Sequence, residues 1–324
     1  MVGPSPDGNA IQTPCEAFSH FSASTPGGRS GGIEVLSKVD QASKSYDGPI
    51  PIVEPTLESR IVDIAVRRKR MEESYNANAS KVLPTPDFEK IERFLGYGNP
   101  NAEIVFVGLE EGLADVKRLD ADLRYRSTFS KSVMDVFEAH LGLAKGRKLF
   151  RDKPRGQRTW RVMADVLLHW EDRVPPRKED RSALRKRYRA NVLGDDGDLA
   201  LLLELLPLPH VNSKHWLYKR YDRYDNRDDY EAEVIDKRLE LLRDAIAQCD
   251  RKAIICYGHK GWNDFKRLFP KDTEWVEDRG CFGKYLSAEC NGAKVTLTNH
   301  FVSKYFNRDE QLDELAAVVL PPPA

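Results

Sequence analysis

Apolar positions along the chain follow two rhythms. Short unbroken runs, Ile104-Val105-Phe106-Val107, Leu201-Leu202-Leu203 and Ile254-Ile255-Cys256, have the length and composition of strands buried on both faces. Between them, apolar residues recur every three to four positions, as in Val234, Ile235, Leu239, Leu242 and Ile246, which marks amphipathic helices. The pattern predicts helices over Leu57–Tyr75, Phe129–Leu143, Arg158–Trp170, Asp180–Val192, Tyr230–Gln248, Gly261–Phe269 and Arg308–Leu320, plus a short one from Asp87 to about Leu95. It predicts strands from Ile104, over Leu199–Leu206 (closed by Pro207 and Pro209), Lys252–Tyr257, Phe282–Leu286 and Val295–Leu297, with Asn291-Gly292 as a hairpin turn. Gly96, Gly98, Asn99 and Pro100 read as a turn into the first strand. Strands alternating with helices imply an α/β fold, a three-layer α/β/α sandwich around a short, mostly parallel sheet.

Residues 1–55 lack this patterning and are rich in Gly, Pro and Ser, which predicts a flexible N-terminal extension. Residues 56–95 read as a helical lead-in, 96–320 as the α/β/α domain and 321–324 as a Pro-rich tail. The 51 basic and 51 acidic residues of this 324-residue chain cancel, so no global field draws it to nucleic acid or membrane. Locally, though, the segment from Lys145 to Arg189 is strongly basic and offers a face for phosphates, or simply solvated helix flanks. Five cysteines without a CxxC pair or zinc spacing suit structural thiols in a reducing, cytoplasmic setting. No run is long and apolar enough to span a bilayer, so no membrane partner is expected.

The chemistry gathers where strands end. The first run stops in Gly108-Leu109-Glu110-Glu111-Gly112, the second contains Glu204, and the last strand runs into Asn299-His300. In open parallel sheets, ligand sites form outside the carboxyl ends of the strands. Glu110, Glu204 and His300 are therefore expected in one crevice.

This arrangement resembles the uracil-DNA glycosylase superfamily over residues 95 to 320. Gly108-Leu109-Glu110-Glu111-Gly112 is similar to the family's first motif, with Glu110 where the family has its water-activating Asp or Asn. His300-Phe301-Val302 resembles the second motif, keeping the His without the Pro-Ser that follows it. Glu204 stands where a family strand ends in an Asn that reads the uracil edge, and Ile254–Gly258 with Phe265 looks like the third strand and helix. The resemblance implies metal-independent hydrolysis of an N-glycosidic bond in DNA, as in base-excision repair, by a monomer without cofactor or metal. Glu110 and His300 would be catalytic. Gly108, Leu109, Glu111, Gly112, Phe129, Glu204 and Phe301 would hold the base, and Arg158, Lys304 and Tyr305 would contact DNA. Phe301, Tyr305 or Phe306 would wedge into the vacated stack. An ionised Glu204 only accepts hydrogen bonds, which favours a base edge with adjacent donors over uracil.

Two other functions remain open. Glu110, Glu111, Asp115, Glu204 and His300 form an oxygen-rich set compatible with Mg²⁺ or Mn²⁺ and phosphoester hydrolysis. Alternatively, the altered motifs suit a catalytically silent binder of nucleic acid or nucleotide.

Overall fold

The computed structural model describes residues 56–78, 83–113, 115–143, 146–150, 158–175, 177–210 and 216–322. The extension predicted over 1–55 lies outside the described residues. In chain order the elements are α1 (Leu57–Asn78), α2 (Phe88–Arg93), β1 (Gly96–Gly98), β2 (Ile104–Gly112), α3 (Leu119–Arg126), β3 (Val133–Met134), α4 (Val136–His140), α5 (Arg158–Trp170) and α6 (Lys178–Asn191). They continue with β4 (Ala200–His210), α7 (Arg227–Ala247), β5 (Ala253–Tyr257), α8 (Trp262–Lys266), β6 (Val276–Gly280), β7 (Gly283–Cys290), β8 (Ala293–Thr298) and α9 (Asp309–Val319).

The strands form one sheet in the order β3-β1-β4-β2-β5-β8-β7-β6. Its centre, β4-β2-β5-β8, is parallel throughout. Outside it, β1 runs antiparallel to β4, and β7 and β6 continue as an antiparallel meander from β8. The fold is thus α/β with a mixed sheet, and the mostly parallel sheet expected from the sequence describes its middle and the short β1–β3 edge pair. Residues 104 to 107 of β2 are wholly enclosed, as a central parallel strand requires. Ile104 and Phe106 pack with residues of α1, α5 and α9, whereas Val105 and Val107 pack with residues of α7 and α8, so the sheet carries helices on both faces.

Several boundaries differ from the sequence reading for identifiable reasons. Gly96–Gly98 is a strand and not a turn. A Cβ on Gly98 would sit 2.3 Å from the Ala200 carbonyl oxygen, at φ +102°, so glycine permits a strand contact that a side chain would block. The predicted helix over Phe129–Leu143 is broken, because Val133–Met134 pairs with β1 and Asp135 then caps a new helix through the N–H groups of Phe137 (2.8 Å) and Glu138 (3.0 Å). The 119–126 helix was not predicted. Strand β4 runs on through Pro207 and Pro209 to His210. Past Leu203 it has lost β1 as a neighbour and pairs only with β2, a position in which proline is tolerated.

The lead-in helix α1 is part of the same core. Leu57 and Ile64 are buried, Arg60 pairs with Glu171 (2.9 Å), and Arg67 pairs with Asp195 and Asp196. Part of the basic stretch of α6 turns inward. Arg181 and Arg185 are buried against Asp165 of α5 at 2.5 and 2.8 Å, and reach Asp313 and Asp309 of α9, both at 2.6 Å. Acids distant in sequence thus neutralise two arginines of a run that looks unbalanced when read locally, while Lys178 and Lys186 stay exposed. No helix among the described residues is long and apolar enough to cross a membrane.

Candidate active site at the strand tips

One row of residues crosses the four parallel strands at the same level. Gly108 of β2 is in register with Glu204 of β4 on one side and Tyr257 of β5 on the other, and Tyr257 is in register with Thr298 of β8. Glu204 and Tyr257 stand two strands apart, roughly 9–10 Å at the usual strand spacing. They meet nonetheless, with the Tyr257 hydroxyl donating to Glu204 Oε1 at 3.2 Å. Gly108 makes this possible: a Cβ there would lie 2.2 Å from Glu204 Oε2 and 2.4 Å from the Tyr257 hydroxyl.

Glu204 Oε2 is enclosed and accepts no hydrogen bond from the described residues. Burial, then the nearby charge of Glu111 and that of Glu110, push the Glu204 carboxyl up to about 8, with the Tyr257 hydrogen bond working the other way. Glu204 therefore carries its proton at neutral pH. The expectation of an ionised, acceptor-only Glu204 is corrected on this point: a carboxylic acid offers a donor and an acceptor, as an amide does.

The two adjacent acids of β2 point to different partners, as alternation along a strand dictates. Glu111 accepts from the Tyr97 hydroxyl and from Arg126 Nη2, each at 2.7 Å, with His140 Nε2 at 3.7 Å. Burial opposes its ionisation, but the Arg126 guanidinium and His140 outweigh it and hold the carboxyl well below the usual range. Expected from the sequence to touch the base, Glu111 is here the anchor of a partly buried ion pair. Glu110 meets Arg227, whose two terminal nitrogens approach its oxygens at 2.9 and 3.3 Å, while Arg227 Nε bonds Glu231 at 2.5 Å. Arg227 is placed there by Asn226, which caps α7 by accepting from the Asp229 N–H at 3.0 Å.

His300 follows β8. The Val302 N–H donates to its Nδ1 at 3.2 Å, which leaves the ring proton of the neutral form on Nε2. Burial lowers the His300 pKa, and the charge of Glu110 partly offsets this. Neutral His300, its Nε2–H without a partner among the described residues, is the form expected at pH 7. Gly258, at φ +127°, ends β5 between these groups. A Cβ there would come within 3.9 Å of Leu109 Cβ and 4.0 Å of His300 Cδ2. Gly112, at the far end of β2, is exposed with open space around it.

The structure thus brings Gly108, Leu109, Glu110, Glu204 and His300 to one end of the sheet. The aromatic expectations are corrected. Phe129 is enclosed by Phe94 at 4.9 Å and Tyr125 at 5.4 Å between ring centres. Phe301 is buried and stacks on Tyr257 (4.6 Å, 11°), and Phe306 is buried beside it (5.3 Å). Phe301 and Phe306 fill the space between the loop after β8 and the sheet, Phe129 lies in its own aromatic cluster, and none of the three offers an open ring face. Tyr305 and Val302 are the exposed apolar residues of that loop, with Lys304 Nζ 5.7 Å from the Tyr305 ring centre. Arg158 braces the same loop, donating to the Val302 carbonyl (3.3 Å) and Asn307 Oδ1 (3.1 Å).

Three residues that matter here went unnoticed in the sequence. Tyr257 ends an apolar run and reads as core, Arg227 opens a charged helix, and Arg238 lies on a helical stripe. Fully buried, Arg238 donates to the carbonyls of Glu204 (2.5 Å), Leu205, Glu92 and Phe94, which fixes the β4 tip against α2 and α7. Only the tip sequence of β5, Tyr257-Gly258, carried a usable signal, because it repeats the Gly ending of β2.

Among the described residues, the metal-binding set considered above is not assembled: the one group of acids with ligand atoms within 4.8 Å of each other is Asp135, Asp195 and Asp196, away from the strand tips. Comparison with models of known protein families, with curated proteins and with solved structures finds no match.

Proposed function

We propose that this protein hydrolyses the N-glycosidic bond of a base in DNA, in the manner of the uracil-DNA glycosylase superfamily it resembles, with the crevice at the strand tips as its active site. The observation that carries the proposal is the level row Glu204–Gly108–Tyr257–Thr298: the four strands holding the resembling motifs are neighbours, parallel and in register. The three-layer glycosylase-like architecture is part of the same proposal, supported by helices packed on both faces of the sheet.

Each residue then has a role. Breaking the C1′–N bond leaves its electron pair on the departing base and positive charge on the sugar. Glu110, kept oriented by the Arg227 fork, stabilises that charge and takes the proton of the water that adds to C1′. His300 Nε2–H donates to the base oxygen that gathers negative charge. Protonated Glu204 matches an edge with a carbonyl beside an N–H, as in uracil, hypoxanthine or xanthine. Exposed Lys117, Arg118, Lys219, Arg220 and Lys304, all in segments that follow strand tips, supply phosphate contacts.

The test is base release from single- and double-stranded oligonucleotides carrying uracil, hypoxanthine or xanthine, with chelator present, followed by alkaline cleavage of abasic sites. Release that is lost in Glu110→Ala and His300→Ala is the expected result. A second reading, a nucleobase-binding protein without catalysis, is favoured by the Glu110–Arg227 pair, which occupies both carboxylate oxygens. Binding with a steep salt slope and no release on any substrate would select it.

A further inference from the structure

Strand β5 borders a cavity at the end opposite the crevice. Its C-terminus, Tyr257, lies in the crevice. Four residues earlier, roughly 13 Å away at the rise of a strand, its N-terminal end borders a cavity of about 1020 Å³. The cavity is bounded by the last turns of α7, the segment after α8 and the β7–β8 hairpin. Its apolar wall includes Ile254, Phe269 and Trp275. Phe269 and Trp275 meet edge to face at 5.7 Å, which leaves the half-buried indole at the lining.

Charge at this cavity is one-sided. Arg243, Arg251, Lys266, Arg267 and Lys271 line it, against Asp250 as the one acid of the lining. Arg267 is neutralised by Asp236 and Asp264. Arg251, however, is buried with carbonyl partners only: Ala245 at 2.7 Å, Pro100 at 2.8 Å, Ile246 at 3.1 Å, and Ala102. Arg243 likewise spends its guanidinium on the Arg267 carbonyl, at 2.8 and 3.1 Å. Among the described residues, no ion pair engages Arg243, Arg251, Lys266 or Lys271. Carbonyl groups satisfy donors but do not cancel charge, so the combined positive field of Arg243, Arg251, Lys266 and Lys271 favours an anion at the accessible cations of the rim. Lys266 Nζ, 5.9 Å from the Trp275 ring centre, joins the cationic rim to the aromatic wall.

We propose that this cavity binds a planar aromatic anion of nucleoside-monophosphate type, with its ring on Trp275 and its phosphate at Arg243, Lys266 and Lys271. The site is separate from the strand-tip crevice and does not depend on the reading given to it. Its shared chemistry covers a free nucleotide and the terminal nucleotide of a DNA strand, and the two are distinguished by probe.

The experiment is calorimetric titration of the full chain with AMP, adenosine, inorganic phosphate and a 5′-phosphorylated tetranucleotide. AMP is expected to bind at least about tenfold more tightly than adenosine or phosphate, since both halves of the ligand are used. Tighter binding of AMP than of the tetranucleotide identifies the free nucleotide, and the reverse identifies a strand end. Lys266→Glu with Lys271→Glu should cost at least about tenfold in AMP affinity, and Glu204→Gln should leave it unchanged. Cys249 and Cys290 line the cavity whereas exposed Cys281 lies outside it, so AMP should slow alkylation of the first two alone. Absence of AMP binding, insensitivity to the double charge reversal in a protein with unchanged melting, or unaltered alkylation of Cys249 and Cys290 under saturating AMP would each overturn the proposal.

Discussion

Replacing Glu204 by Gln keeps the shape of the side chain and an oxygen for the Tyr257 hydroxyl, but removes the proton. In the folded protein the Glu204 carboxyl sits near 8, against an ordinary 4.5. A carboxyl group that holds its proton more tightly when folded contributes its full stability below the unfolded value, and loses it as pH rises through the folded one. The window is therefore about pH 4.5 to 8. At 1.36 kcal/mol per pH unit the ceiling is about 5 kcal/mol. Relaxation and an effective dielectric near 20 even for buried groups bring the expected loss to roughly 1–3 kcal/mol. Asp198 and Asp135 are also pushed up, to about 7 and about 6, so the wild-type slope alone is shared among several groups. The difference between wild type and Glu204→Gln isolates one of them. Urea unfolding of both proteins at pH 5, 6, 7 and 8 should show the wild type losing roughly 1–3 kcal/mol relative to the variant from the lowest to the highest pH. A difference that stays flat across that range would refute the protonated-Glu204 argument, and with it the donor–acceptor edge assigned to this residue.

Gly108→Ala should force Glu204 and Tyr257 apart, costing about 1–3 kcal/mol as overpacking; an unchanged urea midpoint would show that the close approach of 2.2 Å is relieved at no cost. Arg126→Met removes the main counter-charge of the partly buried Glu111 while Tyr97 and His140 stay beside it, for an expected loss of roughly 1–3 kcal/mol by chemical denaturation. Because the folded Glu111 value is depressed, the wild-type ion pair stabilises above the ordinary 4.5 and fades as pH falls through the folded value, so the difference between the two proteins should narrow in acid. His300 should titrate below 6.5 by proton NMR, and lower still in Glu110→Gln, since Glu110 is the charge that offsets burial; a midpoint above 6.5 would contradict the neutral donor role.

Much of the architecture was legible in local pattern. Helix α5 matches its predicted span, and the apolar runs of β2, β4 and β5 are strands buried on both faces, because unbroken β-branched and leucine runs have few other homes. The Gly-acid ending of β2 and the His after β8 likewise marked segments that the structure brings to one end of the sheet. What the chain alone did not reveal was pairing across the sheet. That Gly108, Glu204 and Tyr257 share one level is a matter of register between segments about 50 to 150 residues apart, and no local signal encodes it. Register in turn decided charge state. Glu204 keeps its proton because burial and two neighbouring carboxylates act on it together, whereas Glu111 is held ionised by the charge of Arg126, delivered by α3. Aromatic residues stayed ambiguous for a related reason: a Phe after a motif looks the same whether it faces solvent or fills a gap, and only packing put Phe129, Phe301 and Phe306 inside. Sequence periodicity determined which segments are buried. Tertiary structure determined which buried groups meet, and those meetings set the pKa values, the tautomer of His300 and the partners of Glu110.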